Sequence, residues 1–182
     1  MTRSLAALVV LAACGGAQTR ADGSGSVRAV DFFPMGRGSA WSYDIDDGVE
    51  TVLVTSRVVE RSGNRVTVLN PVGEEMRYEV RDDGIYRPDR RVYLLRDPLE
   101  VGAEWDSAAG MRASVTSLNR RVRTPSGEFA CLEVVEEGGE QGLRIVTRYA
   151  RRVGPVEIIA GMRLSGGRSA STRAILRGFV AR

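Results

Sequence analysis

The amino-acid sequence lacks two residue types with versatile side-chain chemistry. Its 182 residues include no histidine, and all 26 basic residues are arginine. Without histidine the chain has no Ser-His-Asp or Cys-His catalytic machinery and no imidazole metal site. Without lysine it cannot form a Schiff base or a Ser-Lys dyad. Acidic residues are plentiful, but their spacing singles out no pair of carboxylates for hydrolysis. We therefore expect a protein that is not an enzyme, with no catalytic residue, no metal ligand and no cofactor.

Long apolar runs are also scarce. The run from Leu5 to Leu11 is much shorter than the roughly 20 apolar residues that span a bilayer, and no second long run follows it. The 26 basic residues are interspersed with 23 acidic residues, which leaves a net charge of only +3. A nucleic-acid-binding domain would show a basic patch or stripe instead. We therefore expect no nucleic-acid partner.

The first 14 residues resemble a bacterial lipoprotein export signal. Arg3 supplies the basic start, Leu5 to Leu11 the apolar core, and Leu11-Ala12-Ala13-Cys14 the small residues before the cleavage site. The resemblance implies that residues 1–13 are removed as a signal peptide and that Cys14 is lipidated with acyl chains such as palmitate. Two or three chains anchor a protein durably to a membrane. An ordinary cleaved signal that leaves Cys14 free is the alternative.

Cysteine is nearly absent from the rest of the chain, because Cys131 is the only other one. Once Cys14 is acylated, Cys131 has no partner for an intrachain disulfide. Its surroundings, Phe129 to Val134, are typical of a strand with apolar neighbours. Since free cysteine is among the most buried residue types, we interpret Cys131 as a buried, inert thiol.

The sequence after Cys14 divides into a tether and one domain. Residues 14–30 are small, polar and rich in glycine and serine, as in a flexible linker. Residues 31–182 show short segments in which apolar and polar residues alternate, separated by turn signals, and no convincing helix. This pattern predicts an all-β domain, an antiparallel curled sheet, half-barrel or sandwich. Beyond the first strands, further strands are predicted at 77–80, 92–95, 113–118, 129–135, 143–149, 156–164 and 172–180.

Two stretches of this domain are similar to each other. Pro34 to Trp41 and Pro98 to Trp105 both read Pro, apolar, two residues, Gly, two residues, Trp, at an offset of 64 residues. Further landmarks recur in the same order, which predicts pseudo-repeats over 34–97 and 98–164 and a closing strand at 165–182. We expect the two tryptophans to pack in the core; the alternative is that they line the mouth of a binding site.

The domain also resembles a family of exported bacterial proteins through three motifs. They are Phe32-Phe33-Pro34-Met35-Gly36-Arg37-Gly38-Ser39-Ala40-Trp41-Ser42-Tyr43, Thr124-Pro125-Ser126-Gly127-Glu128-Phe129-Ala130-Cys131 and Tyr149-Ala150-Arg151-Arg152-Val153-Gly154-Pro155-Val156. Arg151-Arg152 replaces the usual Pro-Gly of the third motif. The resemblance implies a curled antiparallel sheet, and the family has no established activity or site residues to transfer.

Two functions fit these observations. The first is a non-catalytic, lipid-anchored envelope protein that binds an apolar or amphipathic ligand, such as an acyl chain, in a deep apolar pocket of several hundred cubic ångströms. The second is a structural or assembly module that binds another envelope protein, with a filled core and an exposed apolar surface or sheet edge. Because Gly15 rather than Asp follows Cys14, the sorting rule of enteric bacteria favours the outer membrane, facing the periplasm.

Overall fold

The computed structural model describes residues 27–139, 142–163 and 169–182. These residues form an all-β domain, as predicted, with a one-turn helix, α1, at Ala29–Phe32 and a 3₁₀ turn at Ala108–Gly110. The strands are β1 (Ala40–Asp46), β2 (Thr51–Ser62), β3 (Arg65–Leu69), β4 (Glu75–Arg81), β5 (Gly84–Arg87), β6 (Val92–Arg96), β7 (Glu104–Asp106), β8 (Met111–Thr124), β9 (Gly127–Gly138), β10 (Leu143–Ala150), β11 (Gly154–Arg163) and β12 (Ser169–Val180).

All 12 strands belong to one antiparallel sheet in the order β6-β5-β4-β3-β2-β1-β12-β11-β10-β9-β8-β7. Consecutive strands of the chain pair with each other except β6 and β7, and β1 pairs with β12. The sheet curls until its two edge strands, β6 and β7, approach each other. In the described part of the chain no ladder joins these edges, but the indole N–H of Trp105 donates a hydrogen bond to the backbone oxygen of Tyr93 across the gap, 3.1 Å away. The result is a nearly closed, barrel-like sheet with one seam.

Alternation along the strands explains the two faces of this sheet. On β1, Trp41 and Tyr43 point inward and are buried, whereas Ser42 and Asp44, which alternate with them, point outward. The same period of two directs Val66 and Val68 of β3 into the core. Because most of the buried apolar residues meet on the concave face, the main core lies inside the curled sheet.

The chain before β1 closes one end of the sheet. Phe32, Phe33 and Met35 are buried there. The backbone N–H of Ala29 donates to a carboxylate oxygen of Asp97 (2.8 Å) at the seam. On the opposite side, the backbone N–H of Arg152 donates to the backbone oxygen of Asp31 (2.6 Å), and the Arg151 side chain pairs with the Asp31 carboxylate. This segment therefore holds together strands from both halves of the chain.

Two of the predicted boundaries fall in or near this region. Ala29, which lies within the predicted tether 14–30, belongs to α1 and is fully buried. The signal peptide 1–13 and Cys14 lie outside the described residues. The predicted pseudo-repeat boundary between residues 97 and 98 falls between β6 and β7, so each proposed unit begins near a tryptophan-bearing strand; the repeat itself stays a prediction. None of the helices in the described part of the chain could traverse a bilayer.

Candidate functional site

A cavity of about 170 Å³ remains inside the curled sheet. Strands from both halves of the chain contribute to its wall, together with Phe33 from the segment before β1. Most of the wall is apolar or aromatic. Its lining residues are Phe33, Trp41, Tyr43, Ser56, Val68, Met76, Tyr78, Leu94, Glu136, Thr147, Tyr149, Pro155 and Ile158. We call this the inner cavity.

Aromatic rings form a cluster on one side of the inner cavity. The Phe33 ring lies at its centre, with ring centroids 5.1 Å from Trp41, 6.0 Å from Tyr78 and 6.4 Å from Tyr149. The first two contacts are edge-to-face, the arrangement that aromatic quadrupoles favour. Since all four residues are buried, the cluster is a rigid wall rather than a set of mobile side chains.

Two polar groups of this wall donate hydrogen bonds to the backbone. The Trp41 indole N–H donates to the Val153 backbone oxygen (2.5 Å), and the Tyr43 hydroxyl donates to the Pro155 backbone oxygen (2.9 Å). Burial raises the pKa of Tyr43, and it also raises the pKa of Tyr149 far above its ordinary value. Both phenols therefore stay neutral, and the cavity wall carries no tyrosinate charge.

Glu136 on β9 is the one acidic side chain among the described residues that line the inner cavity. It is half-buried and accepts a hydrogen bond from the hydroxyl of Ser107, a buried residue just after β7. Among the described residues, no arginine nitrogen comes within salt-bridge distance of its carboxylate. Thr147 and Ser56 add hydroxyl groups to the same wall. The inner cavity thus combines aromatic rings with a carboxylate that lacks a protein cation.

The outer face of the second half carries a different arrangement, which we call the outer ladder. Arginine and glutamate alternate across five neighbouring strands: Arg120 (β8), Glu133 (β9), Arg148 (β10), Glu157 (β11) and Arg173 (β12). Arg148 Nε lies 2.7 Å from a Glu133 oxygen, and Arg173 Nε lies 2.7 Å from a Glu157 oxygen. Arg148 also contacts Glu157, and Arg120 contacts Glu133.

The outer ladder buries its carboxylates against arginines. The Glu133 and Glu157 side chains are only 7% and 3% exposed. Burial by itself would raise the pKa of Glu133, but hydrogen bonds from Arg148, Thr116 and Arg120 outweigh it and lower that pKa below its ordinary value. Its charges are mutually satisfied, so this cluster has a structural explanation and needs no ligand.

Three larger hollows lie elsewhere on the surface. One, of about 620 Å³, is lined by Leu143, Val146, Ile159 and Met162 together with small and charged residues of β9 to β12. A hollow of about 310 Å³ lies beside Asp97 and is lined mainly by charged residues. Another, of about 490 Å³, lies along β2, β3 and β4 and is lined mainly by charged and hydroxyl-bearing residues. Each of these hollows is either more open to solvent or less apolar than the inner cavity. None of them brings several aromatic rings together around a charged group.

The structure places the sequence-predicted residues as follows. Cys14, the predicted lipidation site, lies outside the described residues. Cys131 is fully buried, which confirms the prediction that its thiol is buried. Burial raises the pKa of this thiol to about 12. Both tryptophans are buried, as expected, but Trp41 also lines the inner cavity. No group of three or more potential metal ligands occurs in the part of the chain that the structure describes.

Sequence reasoning missed Glu136, Thr147 and Phe33 as cavity residues. A usable signal existed for Glu136, because it has the same parity along β9 as the buried Val134 and therefore faces the same side of the sheet. No comparable signal existed for Phe33, which precedes the first strand and reaches the cavity only through the path of the chain.

The fold is similar to that of a protein from Bacteroides fragilis NCTC 9343 that is assigned as exported and as having a YmcC-like fold. The TM-score is 0.50 and the sequence identity 14%, over 82% of this chain and 98% of that chain. The two proteins share a fold. A protein from Parabacteroides distasonis ATCC 8503 assigned as a lipoprotein matches with a TM-score of 0.48 and 12% identity, over 82% and 98% of the two chains. No protein-family model and no curated protein sequence matches this chain.

Proposed function

We propose that this chain is an exported, lipid-anchored protein of the bacterial cell envelope that binds the compact end of an amphipathic ligand in its inner cavity and catalyses no reaction. Two observations support the envelope part of the proposal. The first 14 residues resemble a lipoprotein signal, and the fold is shared with a protein assigned as exported. Acyl chains such as palmitate on Cys14 would hold the domain at the outer membrane, facing the periplasm.

The inner cavity is the observation that carries the binding part of the proposal. It is smaller than the several hundred cubic ångströms expected from the sequence, and smaller than most ligand pockets. An apolar cavity of about 150 Å³ accepts a benzene molecule. A space of about 170 Å³ therefore suits one compact apolar group, whereas an acyl chain would not fit without movement of the wall.

A second function, an assembly module that binds another envelope protein, is favoured by a different observation. The core is largely filled, and apolar side chains are exposed at the end of the sheet where β1 meets β2. Val49 is 92% exposed, and Leu53 is 63% exposed. These residues form a small apolar surface, so this function remains the alternative.

The lipid anchor is tested by metabolic labelling with an alkyne analogue of palmitate in a bacterial host. We expect label on the full chain and none on a Cys14→Ser variant, with the wild-type protein in the outer-membrane fraction. Because Cys131 is buried, Cys131→Ser is the matched control and should keep the label. Equal labelling of the wild type and Cys14→Ser would contradict the anchor.

Ligand binding is tested by native mass spectrometry of the full chain released from membranes in a mild detergent. We expect one small amphiphile per chain. A Ser56→Phe variant should lose it, because Ser56 lines the inner cavity and a phenyl ring would fill the space. The matched control is Thr55→Phe, since Thr55 is exposed on the outer face of the same strand. A protein that is free of ligand but retains a single envelope protein would favour the assembly function.

A further inference from the structure

The inner cavity is lined by two chemically different features, a set of aromatic rings and a carboxylate. Its wall contains the rings of Phe33, Trp41, Tyr43, Tyr78 and Tyr149, and the carboxylate of Glu136 lines the same space. Burial keeps the tyrosines neutral, so the rings present π-faces or edges and no charge of their own.

Glu136 differs from the other buried or half-buried glutamates of the domain. Glu133 and Glu157 each hold two arginines in the outer ladder. Glu136 has one described side-chain partner, the neutral hydroxyl of Ser107, and that hydroxyl fixes one carboxylate oxygen. The chain has 26 arginines, and none of those that the structure describes lines the inner cavity.

This charge pattern determines which ligands fit. A neutral apolar group in the cavity would displace water from the Glu136 carboxylate and offer it no counter-charge, which is unfavourable. A cation would be attracted both by the carboxylate and by the quadrupoles of the rings, the combination found in aromatic cages for quaternary ammonium groups. The cavity is therefore complementary to a positively charged group with an apolar surface.

Size and hydration narrow the choice further. A primary ammonium is a compact, strongly hydrated charge that would fill only part of a space of about 170 Å³ and contact few of its aromatic rings. A trimethylammonium group needs no acceptor, is weakly hydrated and is similar in size to a benzene ring, which a cavity of this volume accommodates.

We propose that the inner cavity binds a trimethylammonium group, as in choline or a choline-bearing headgroup, with Glu136 as its counter-charge and the aromatic cluster around Phe33 as its wall. Ser107 is a positioning residue that orients the Glu136 carboxylate. This inference rests on the proposed binding function and specifies the chemistry of the ligand's compact end. The same group occurs in free choline and in a lipid headgroup.

The test compares two probes of equal shape on the full chain in dodecyl maltoside, with calorimetric titration as the measurement. Choline carries the charge, and 3,3-dimethylbutan-1-ol is its neutral carbon analogue. We expect choline to bind at least about tenfold more tightly than the analogue. Glycerophosphocholine, the lipid headgroup without acyl chains, is titrated in parallel. Tighter binding of glycerophosphocholine than of choline indicates a lipid source, and the reverse order indicates free choline; either order supports the proposal.

Variants locate the charge that is responsible. Glu136→Gln keeps the shape and can still accept the Ser107 hydrogen bond, so it should weaken choline about tenfold. It should not weaken the neutral analogue, because that analogue no longer displaces water from a charged group. The matched control is Glu137→Gln, because Glu137 is exposed on the outer face and pairs with Arg144 at 3.4 Å. It should bind choline as the wild type does. Circular dichroism and thermal midpoints establish that both variants are folded.

Equal affinity of the wild type for choline and the neutral analogue overturns this inference, as does failure of choline to bind at all. Neither result by itself removes the proposed function, because the amphiphile detected by native mass spectrometry and its loss in Ser56→Phe are measured separately. If that amphiphile is also absent or is unaffected by Ser56→Phe, both proposals fail together.

Discussion

The two halves of the sheet, β1 to β6 and β7 to β12, begin with the same hydrogen-bonded turn and then differ. The backbone N–H of Ser39 donates to Gly36 (3.0 Å), and that of Ala103 donates to Glu100 (2.9 Å). These positions are 64 residues apart in both cases. Each turn contains a glycine with positive φ, Gly38 or Gly102, two residues after the acceptor. The local sequence is therefore sufficient to form the same turn in two places.

The equivalence extends to the second strand of each half. Val58 N–H donates to the Ser39 oxygen (2.8 Å), and Val115 N–H donates to the Ala103 oxygen (3.0 Å). By its hydrogen bond, Val115 is therefore equivalent to Val58. By local sequence it is more similar to Val54, because Val-Thr-Ser begins at both Val54 and Val115. Bulges make β8 longer beyond this point, so the offset between the halves changes along the chain.

The tryptophans that follow these turns have different environments. Trp41 lies on β1, which is paired on both sides, and its ring is inside the aromatic cluster. Trp105 lies on β7, which is paired on one side only, and its indole bridges the seam to Tyr93. The same local motif therefore lines the inner cavity in one half and closes the sheet in the other. Position in the sheet, not local sequence, decides the role.

The largest expected effect comes from removing the tryptophan of the first half. Trp41→Ala deletes a side chain that is 1% exposed, together with its hydrogen bond to Val153. We expect the free energy of unfolding to fall by about 4 kcal/mol, as for other large aromatic residues. Trp105→Ala should lower it by about 3 kcal/mol, because the seam can relax. Urea unfolding followed by circular dichroism measures both, and a larger loss for Trp105→Ala would contradict the comparison.

The outer faces of the two halves should respond differently to loss of an arginine. Arg148→Met leaves the buried Glu133 and Glu157 with only partly exposed cations, and we expect a loss of about 3 kcal/mol. In the first half, Arg81→Met removes a single, partly exposed pair with Glu79 and a contact over the Tyr86 ring, and it should change stability by about 1 kcal/mol. The same unfolding measurement applies to both variants. Similar losses in the two halves would show that the outer ladder is no more than a surface ion pair.

Two glycines, one in each half of the sheet, should tolerate alanine poorly. Gly84 and Gly154 have positive φ, and a Cβ at Gly154 would lie 2.7 Å from the Trp41 indole nitrogen. A Cβ at Gly84 would collide with the Leu95 backbone oxygen. We expect each alanine variant to lose about 2 kcal/mol. Gly63→Ala, also at positive φ but in open space, should lose about 1 kcal/mol and serves as the control for backbone strain alone.

The smallest effect is in the dependence of stability on pH. The pKa of Glu133 in the folded protein lies below its ordinary value of 4.5, so its stabilising contribution is present above pH 4.5 and is lost as the pH falls through the folded pKa. Burial raises the pKa of Asp97, which opposes this loss in the same acidic range.

Unfolding curves recorded between neutral and acidic pH separate these two carboxylates. Glu133→Gln should flatten the acid-induced loss of stability, because the group that must be protonated is gone. Asp97→Asn should steepen it, because the opposing contribution is removed. Parallel profiles for wild type and Glu133→Gln would mean that the outer ladder does not contribute to acid sensitivity.

Much of the fold was predictable because its signals are local. Alternation of apolar and polar residues predicted most of the strands, and turn signals such as Ser62-Gly63-Asn64 fall at their ends. β5 was not predicted because its adjacent apolar residues Ile85 and Tyr86 do not alternate with polar ones. β7 was not predicted because it has only three residues, too few to show alternation.

The candidate site was less predictable, because it depends on contacts between distant parts of the chain. Phe33 and Tyr149 are more than a hundred residues apart, and they meet only because β1 pairs with β12 and the sheet curls. The outer ladder likewise requires the register of five strands, which a shift of one residue would destroy.

The sequence by itself determined the all-β class, the turns that need glycine, and the absence of histidine and lysine chemistry, since each follows from residue type and short-range spacing. The tertiary structure decided that Trp41 lines a cavity and Trp105 closes a seam, and that Glu136 faces aromatic rings while Glu133 faces arginines. The physical reason is that strand pairing and sheet curvature assign every side chain its neighbours, and these neighbours set its burial and its charge.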